Sequence, residues 1–549
     1  DSNWITIALN RPASTPFSGA PMRIKQADVN LAITGGANWN YNYPTNTNTG
    51  SGLGNTTSMD IVYAWFENLT IDGVNVTNTA KYGIYLMGTN ADIDHTLSSN
   101  TLSDRIKIYG PSSSITVENS YGPGGGDDIV SLQTQDTSGF ASYLLGCGDI
   151  TEITLRHITS DSGLILAVYP TQQYLKMDDI LIDDYQIRNS VNKAYRGAIT
   201  IFGGATITTG EPIIGNLTLR RGSSMNSGGG MPLVSTYNGG SSSTGFTVNN
   251  LVIDGATTGF VQQGSSSTGQ IFSTDVGASN VSSGVIVNKL TIAHVKSYVG
   301  PTGSTADATV TLTSGTFNDV ELEDSYIGAI TASLGFGIYL NGATVDHIGI
   351  SNNTFDNVSA ATRLFTATTV DLVGNHLKST SPIAGVVINV TGTTENLSRN
   401  WMSNGSYGMI RINGTYTQTI HSTGDNTLLN GSLLYVAASG TPVTTLLGGT
   451  DLASIGIPTV NSCGSGSSLG TNSNNLNGII NVPAATTSCI YNFTSNAYPV
   501  TPRDCQATVN STTAIAVGCL ITWTSATSGT FSVNGTSIGG QSINYSINP

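Results

Sequence analysis

The sequence predicts an all-β chain, a right-handed parallel β-helix followed by a C-terminal β-sandwich-like domain. Three observations carry that expectation. An apolar, any-residue, apolar pair recurs along the chain, a polar or turn pair follows each copy, and no stretch shows the 3.6-residue periodicity of an amphipathic helix. The pairs are Leu69/Ile71, Ile115/Val117, Ile153/Leu155, Ile180/Ile182, Leu217/Leu219, Leu251/Ile253, Leu290/Ile292, Val320/Leu322, Ile348/Ile350 and Val370/Leu372, with Leu397 a weaker last member. Their spacing runs from 22 to 46 residues. Unequal steps fit a solenoid in which the strand is kept and the loops are free to grow, whereas a propeller or sandwich would show more regular repeats and frequent hairpin turns.

A second apolar run follows in most units, often just after glycine: Gly83-Ile84-Tyr85-Leu86, Gly163-Leu164-Ile165-Leu166 and Gly197-Ala198-Ile199 are examples. Each unit therefore carries at least two strands. Alternation sends one set of side chains inward while each backbone pairs with the coils above and below.

Composition agrees. Of 549 residues 38% are hydrophobic, enough to bury a continuous core, and only 10% are charged, which disfavours long solvent-facing helices. The net charge of -14 argues against a nucleic-acid partner, and no stretch approaches the roughly 20 apolar residues of a membrane helix. The start, Asp1-Ser2-Asn3-Trp4, has neither an initiator Met nor a signal peptide, so the expectation is a chain trimmed at its N-terminus.

Residues 1–60 are assigned to a cap that opens the β-helix, 61–430 to the β-helix with the catalytic groove, and 431–549 to a C-terminal β domain. In the last segment Thr and Ser dominate and the unit no longer matches. Its expected role is capping and trimerisation, with carbohydrate binding a second role open to it, because an uncovered solenoid end invites aggregation. Cys147 stands alone, while Cys463, Cys489, Cys505 and Cys519 cluster near the C-terminus. Two disulfides and buried free thiols are both open, and free thiols are the favoured expectation. Asp178, Asp179, Asp183 and Asp184 suggest Ca²⁺, but alternation sends neighbours to opposite faces, so neither a metal nor a cofactor is expected.

The longest excursions enclose residues 87 to 150 and 188 to 215, where a groove is expected. Within them Gly124-Gly125-Gly126-Asp127-Asp128-Ile129 opens a strand with adjacent carboxylates, in the manner either of an Asx turn or of a site approached by substrate. Aligning the second strands sets Tyr82, Asp127, Ser162 and Arg196 in one column, and places Asp127 and Asp128 about one rung, roughly 4.8 Å, from Asp161. Two carboxyl groups about 5 to 9 Å apart suit glycoside hydrolysis. Asp127, Asp128 and Asp161 are therefore the catalytic candidates. Tyr169 and Tyr174 offer rings for sugar faces, and Arg196, Tyr82 and Glu211 are further substrate-binding candidates. A second column, Asp72, Glu118, Arg156, Asp183, Arg220 and Asp254, alternates in sign from Glu118 onward and reads as a ladder of exposed ion pairs. His157, beside that ladder, is kept as a substrate-binding candidate, although a solvated-face role is the stronger reading.

Gly126-Asp127-Asp128 within such coils resembles the pectin-lyase-like superfamily, the polygalacturonases in particular. Other family motifs depart: Tyr82 stands where an Asp is expected, Gly146-Cys147-Gly148 where Gly-His-Gly is, and Ile165 on the Arg rung. Arg105-Ile106-Lys107 has the letters of the family's Arg-Ile-Lys but precedes the Asp pair. The Ser/Thr/Asn/Gly-rich coils with a separate C-terminal β domain resemble bacteriophage tailspike depolymerases. That resemblance implies a homotrimer on the virion tail, attached through an absent N-terminal segment, that binds and cuts a bacterial capsular or surface polysaccharide outside the host cell. An endo-glycosidase is the first expectation; a polysaccharide lyase on the same fold and a non-catalytic adhesin are the alternatives.

Overall fold

In the computed structural model the described residues are the strands from Arg23 to Asn548 and many of the turns between them. Residues 1–22, 41–61 and the longer loops, including 78–82, 100–103, 124–127, 135–147, 169–174, 188–196 and 204–212, lie outside the description. No described residue is helical. The chain forms two compact units, residues 1–330 with 334–347, and residues 331–333 with 348–549.

The first unit is a parallel β-helix. Its coils align the first members of the apolar pairs in one register column, Leu69, Ala91, Ile115, Ile153, Ile180, Leu217, Leu251, Leu290 and Val320. All are buried. Each Leu or Ile withdrawn from water contributes about 1.5–3 kcal/mol, and repetition makes the column a continuous core. A second parallel sheet stacks the second strand of each coil, among them Ile84–Asp94, Ile106–Tyr109, Asp128–Gln133 and Gly163–Val168.

The coil of Ala91 and Ile93 corrects the sequence reading. The step from Leu69 to Ile115 is two coils rather than one excursion, because Ala91 is too small to give a hydrophobic signal and Ile84–Asp94 passes through both sheets as one strand. Parallel pairing also begins before residue 61, with Arg23–Lys25, Asn30–Ile33 and Asn38–Asn40.

After each apolar pair the chain turns on a single left-handed residue. Gly73, His95, Asn119, His157, Asp184, Arg221, Gly255, His294 and Asp324 all have φ between +48° and +70°. Gly, Asn, Asp and His dominate because their side chains tolerate this region best. The next position is buried, and its size is matched between coils. Tyr185 lies over Gly222, where a Cβ would sit 2.0 Å from the Tyr185 ring.

The second unit holds parallel coils of the same design and two four-stranded antiparallel sheets. Parallel pairing runs on through Tyr435–Ser439 and Thr444–Gly448, past residue 430, in coils whose Ala, Thr and Gly give little hydrophobic contrast. The antiparallel strands begin at Thr459. Cys463 and Cys519 are both disulfide-bonded, which corrects the expectation of free thiols for these two.

A buried amide ladder crosses the turns of this unit. The Asn375 and Asn400 side-chain carbonyls each accept from the coil before: Asn353 N and Nδ2 donate to Asn375 Oδ1 at 3.0 and 3.1 Å, and Asn375 N and Nδ2 donate to Asn400 Oδ1 at 3.0 and 3.1 Å. Asn375 Nδ2 also donates to the Ile350 carbonyl at 2.7 Å. Among the described residues the core column is interrupted once by a charge. Glu395 stands between Val370 and Ile420 in register, fully buried, which explains why Leu397 looked like a weak repeat. Burial pushes its carboxyl up to about 7 from 4.5, against the opposing effect of the Thr393 hydroxyl, which lies between Glu395 Oε1 and Gln418 Oε1.

Two predictions arise. Asn375→Ala strips partners from the buried ladder and should cost about 2 kcal/mol or more in thermal or urea melts, whereas Asn288→Ala in the exposed Asn249–Asn288–Asn318 row should cost under about 0.5 kcal/mol; equal losses would rule out the burial argument. Because the native Glu395 carboxyl binds its proton more tightly than the unfolded one, its contribution favours folding below about pH 4.5 and is lost as pH rises through about 7. Glu395→Gln should therefore raise stability at pH 8 by up to about 3 kcal/mol and leave it unchanged at pH 4; parallel melting profiles for the two proteins across that range would refute the assignment.

Candidate functional site

Charged side chains are almost never fully buried unless they are paired. Six charged residues are buried among those described, and four of them, Asp104, Arg105, Lys107 and Asp128, lie on two neighbouring coils of the second sheet. The sequence sets them there by placing a charged segment, Asp104-Arg105-Ile106-Lys107-Ile108-Tyr109, where other coils carry glycine and apolar residues. Ile106 and Ile108 hold the strand in the core, and the alternate positions take the charges.

Arg105 is the centre of the cluster. Its guanidinium Nη1 donates to the Gly122 carbonyl at 2.7 Å and to Ser160 Oγ at 3.0 Å, and Nη2 donates to the Pro123 carbonyl at 3.1 Å. Its backbone N–H donates to the Asp128 carbonyl at 2.9 Å. Gly122 is required by this approach, since a Cβ there would sit 2.1 Å from Nη1. Burial pulls the Arg105 pKa down to about 10, while Asp161, Asp128 and Tyr121 pull it back up. The group is thus a cation at neutral pH, held by backbone carbonyls and set within electrostatic range of two carboxylates.

Lys107 completes the buried charge balance. Its Nζ lies 2.5 Å from Asp104 Oδ2 and 5.3 Å from the centre of the Tyr109 ring, which in turn is 4.7 Å from the Tyr85 ring. Ser131, opposite Lys107 in register, accepts from Gln133 Nε2 at 3.1 Å. Polar groups therefore line this face of the sheet from Arg105 to Gln133.

The structure brings together Asp128, paired with Gly163 in register, and Asp161, whose N–H donates to the Gly122 carbonyl at 3.2 Å; both lie near Arg105. Asp127, Tyr82, Tyr169, Tyr174, Arg196 and Glu211 lie outside the described residues. His157 occupies a left-handed corner, with Nε2 3.6 Å from Asp184 Oδ2. The coil next to Gly83 is that of Asp104 and Arg105, since Gly83 and Ile84 donate to their carbonyls, so the column that set Tyr82 beside Asp127 omitted one coil.

Sequence reasoning missed Asp104, Arg105 and Lys107, and had set Arg105-Ile106-Lys107 aside for its order along the chain. The available signal was three charges within four residues in a chain where charge is scarce. The ion-pair ladder has the expected register, Asp72, Asp94, Glu118, Arg156, Asp183, Arg220 and Asp254, with Asp94 added by the extra coil. Arg156 Nη1 lies 3.7 Å from Glu118 Oε2. Asp183 takes its cation from the corner instead: Arg221 Nε and Nη2 donate to its two oxygens at 2.8 and 2.7 Å, and this hydrogen-bonded partner holds the carboxyl below its ordinary pKa.

Removing the Arg105 guanidinium would take the donor from the Gly122 and Pro123 carbonyls and Ser160 Oγ, and the neighbouring positive charge from Asp161 and Asp128. Arg105→Met should cost about 3–5 kcal/mol, and Arg105→Lys should recover only part of it because an ammonium cannot span Gly122, Pro123 and Ser160. Chemical denaturation measures this; a melt within about 0.5 kcal/mol of the parent would show the cluster to be peripheral.

No protein-family model matches the chain, and no curated protein matches it. Among solved structures it is similar to the tailspike of Pseudomonas phage phi297, at 10% identity and a TM-score of 0.30 over 89% of this chain and 67% of that one. The Dettilon tailspike protein aligns at 10% identity and a TM-score of 0.25, covering 89% and 88%. The tailspike of Acinetobacter baumannii bacteriophage Fri1, described as a capsular polysaccharide depolymerase, aligns at 10% identity and a TM-score of 0.21, covering 89% and 79%.

Proposed function

We propose that this chain is a tailspike-type depolymerase that binds a bacterial capsular or surface polysaccharide and hydrolyses its glycosidic bonds. The observation that carries the reading is that Asp128 and Asp161, on successive coils, both act electrostatically on buried Arg105. Retaining or inverting hydrolysis needs one carboxyl to protonate the leaving oxygen and a second to attack the sugar or activate water. Asp127 or Asp128 supplies one and Asp161 the other. Arg105 is a positioning residue: it fixes the Gly122–Pro123 and Ser160–Asp161 segments. Arg196, Tyr169, Tyr174, Tyr82, Glu211 and His157 remain the candidates for holding substrate. The active form is a homotrimer on a phage tail, acting outside the host cell.

One observation favours a lyase as the second reading. Arg105 and Lys107 place two cations in a region expected to be poor in them, and a lyase needs a cation to neutralise the uronate carboxylate. Both cations already have anionic or carbonyl partners, which favours hydrolysis.

The test uses purified capsules. The parent should shorten its substrate and release reducing ends without a new ultraviolet-absorbing double bond, and Asp128→Asn with Asp161→Asn should lower the rate at least about 1,000-fold while binding persists. Undiminished cutting by the double variant would falsify the site, and product absorbance would transfer it to the lyase reading.

A further inference from the structure

The second-sheet strands that begin at the Arg105 cluster end at a groove on their other edge. Strand Ile106–Tyr109 follows Arg105 and leads through Gly110 to Pro111, which lines it. The groove has a volume of about 400 Å³ and crosses four successive coils, with Phe66 and Glu67 on the first, Thr89 on the second, Pro111 and Ser113 on the third, and Asp149 on the fourth. All belong to the first unit.

Its chemistry is ordered by the register. Thr89, Ser113 and Thr151 are paired across adjacent strands, so their side chains form a row at the coil repeat of roughly 4.8 Å. Ser112 is already committed, receiving the Gly88 N–H at 3.2 Å. Carboxylates stand toward the two ends, Glu67 on the first coil and Asp149 on the fourth, and both are exposed. Asp149 Oδ1 receives the Lys176 N–H at 2.9 Å, and the Lys176 ammonium lies 3.7 Å from Asp178. Among the described residues that line the groove there is no Lys or Arg.

Each part of that arrangement selects the same ligand. Hydroxyls spaced along a row can both donate to and accept from the hydroxyls of a saccharide, a carboxylate accepts from vicinal hydroxyls or from an amine, and the Pro111 and Phe66 rings give an apolar wall for sugar C–H groups. A uronate would bring its charge against Glu67 and Asp149, with no cation among the described lining residues to offset it. We infer that this groove is a second saccharide-binding site, distinct from the Arg105 cluster, that takes an uncharged or amine-bearing stretch of polysaccharide and excludes acidic sugars. The inference rests on the polysaccharide reading for the identity of the ligand, but on its own residues for the site.

The experiment is binding of the full chain to labelled tetrasaccharides of three kinds: neutral gluco-, galacto- and manno-oligosaccharides, the amine-bearing chitosan tetramer, and tetragalacturonate. Neutral or amine-bearing probes should be retained and tetragalacturonate should not. Ser113→Trp, which fills the row, should weaken retention at least about tenfold, and the near-isosteric double variant Glu67→Gln with Asp149→Asn should do so without changing the melt. Preference for tetragalacturonate, retention unaltered in both variants, or retention of no probe would overturn the inference. Loss of cutting in Asp128→Asn bears only on the Arg105 cluster, so failure of that site and failure of the groove are read from different variants.

Discussion

The described coils of this protein exchange backbone hydrogen bonds with the coils next to them, and that exchange sets the terms for everything else. A parallel ladder stays in register only if each coil returns to the same angular position, so the apolar pair, the left-handed corner and the residue after it recur as columns. The columns need not be apolar. In the second unit the position after the corner is an amide ladder from Asn353 to Asn400, where each side chain satisfies its neighbour's backbone as well as its own amide. Stacking turns a local preference into a continuous one.

The same constraint explains how charge can be buried in a chain with so little of it. A coil that carries Arg105 in place of glycine must find partners among atoms already fixed by the ladder, and the Gly122 and Pro123 carbonyls are such atoms. Preorganised acceptors offset part of the desolvation of the guanidinium, and the acids beside it supply more. Glu395 lacks such a cation and its burial is met by keeping its proton. The two sites show opposite outcomes for a charged residue in one kind of core.

The repeat was legible in the sequence wherever both members of the pair were Leu, Ile or Val, and it faded where they were not. Ala91 hid a coil, Glu395 broke the pattern before Leu397, and the Ala- and Thr-rich coils near residue 440 looked like a new domain. The ion-pair ladder was readable because it depends on register alone, yet the partner of Asp183 was not, because Arg221 reaches it from a left-handed corner. The placement of Asp128 and Asp161 on successive coils could be read from their spacing to successive strands. Arg105 was passed over because distance along the chain does not measure distance in a solenoid: residues one coil upstream are neighbours across the ladder.

The left-handed corner has a bearing on how such a chain can vary. Between the apolar pair and the short strand beyond it, one or two residues make the turn in coil after coil, whereas the other two connections of a coil range from tight turns to long loops. Insertions at the corner would break the column of single residues on which each turn depends, while insertions at the other edges leave the ladder intact. Diversity in what the surface recognises is therefore confined to two of the three edges, and one edge is conserved in length by geometry alone. Grafting a foreign loop should succeed or fail according to which edge receives it.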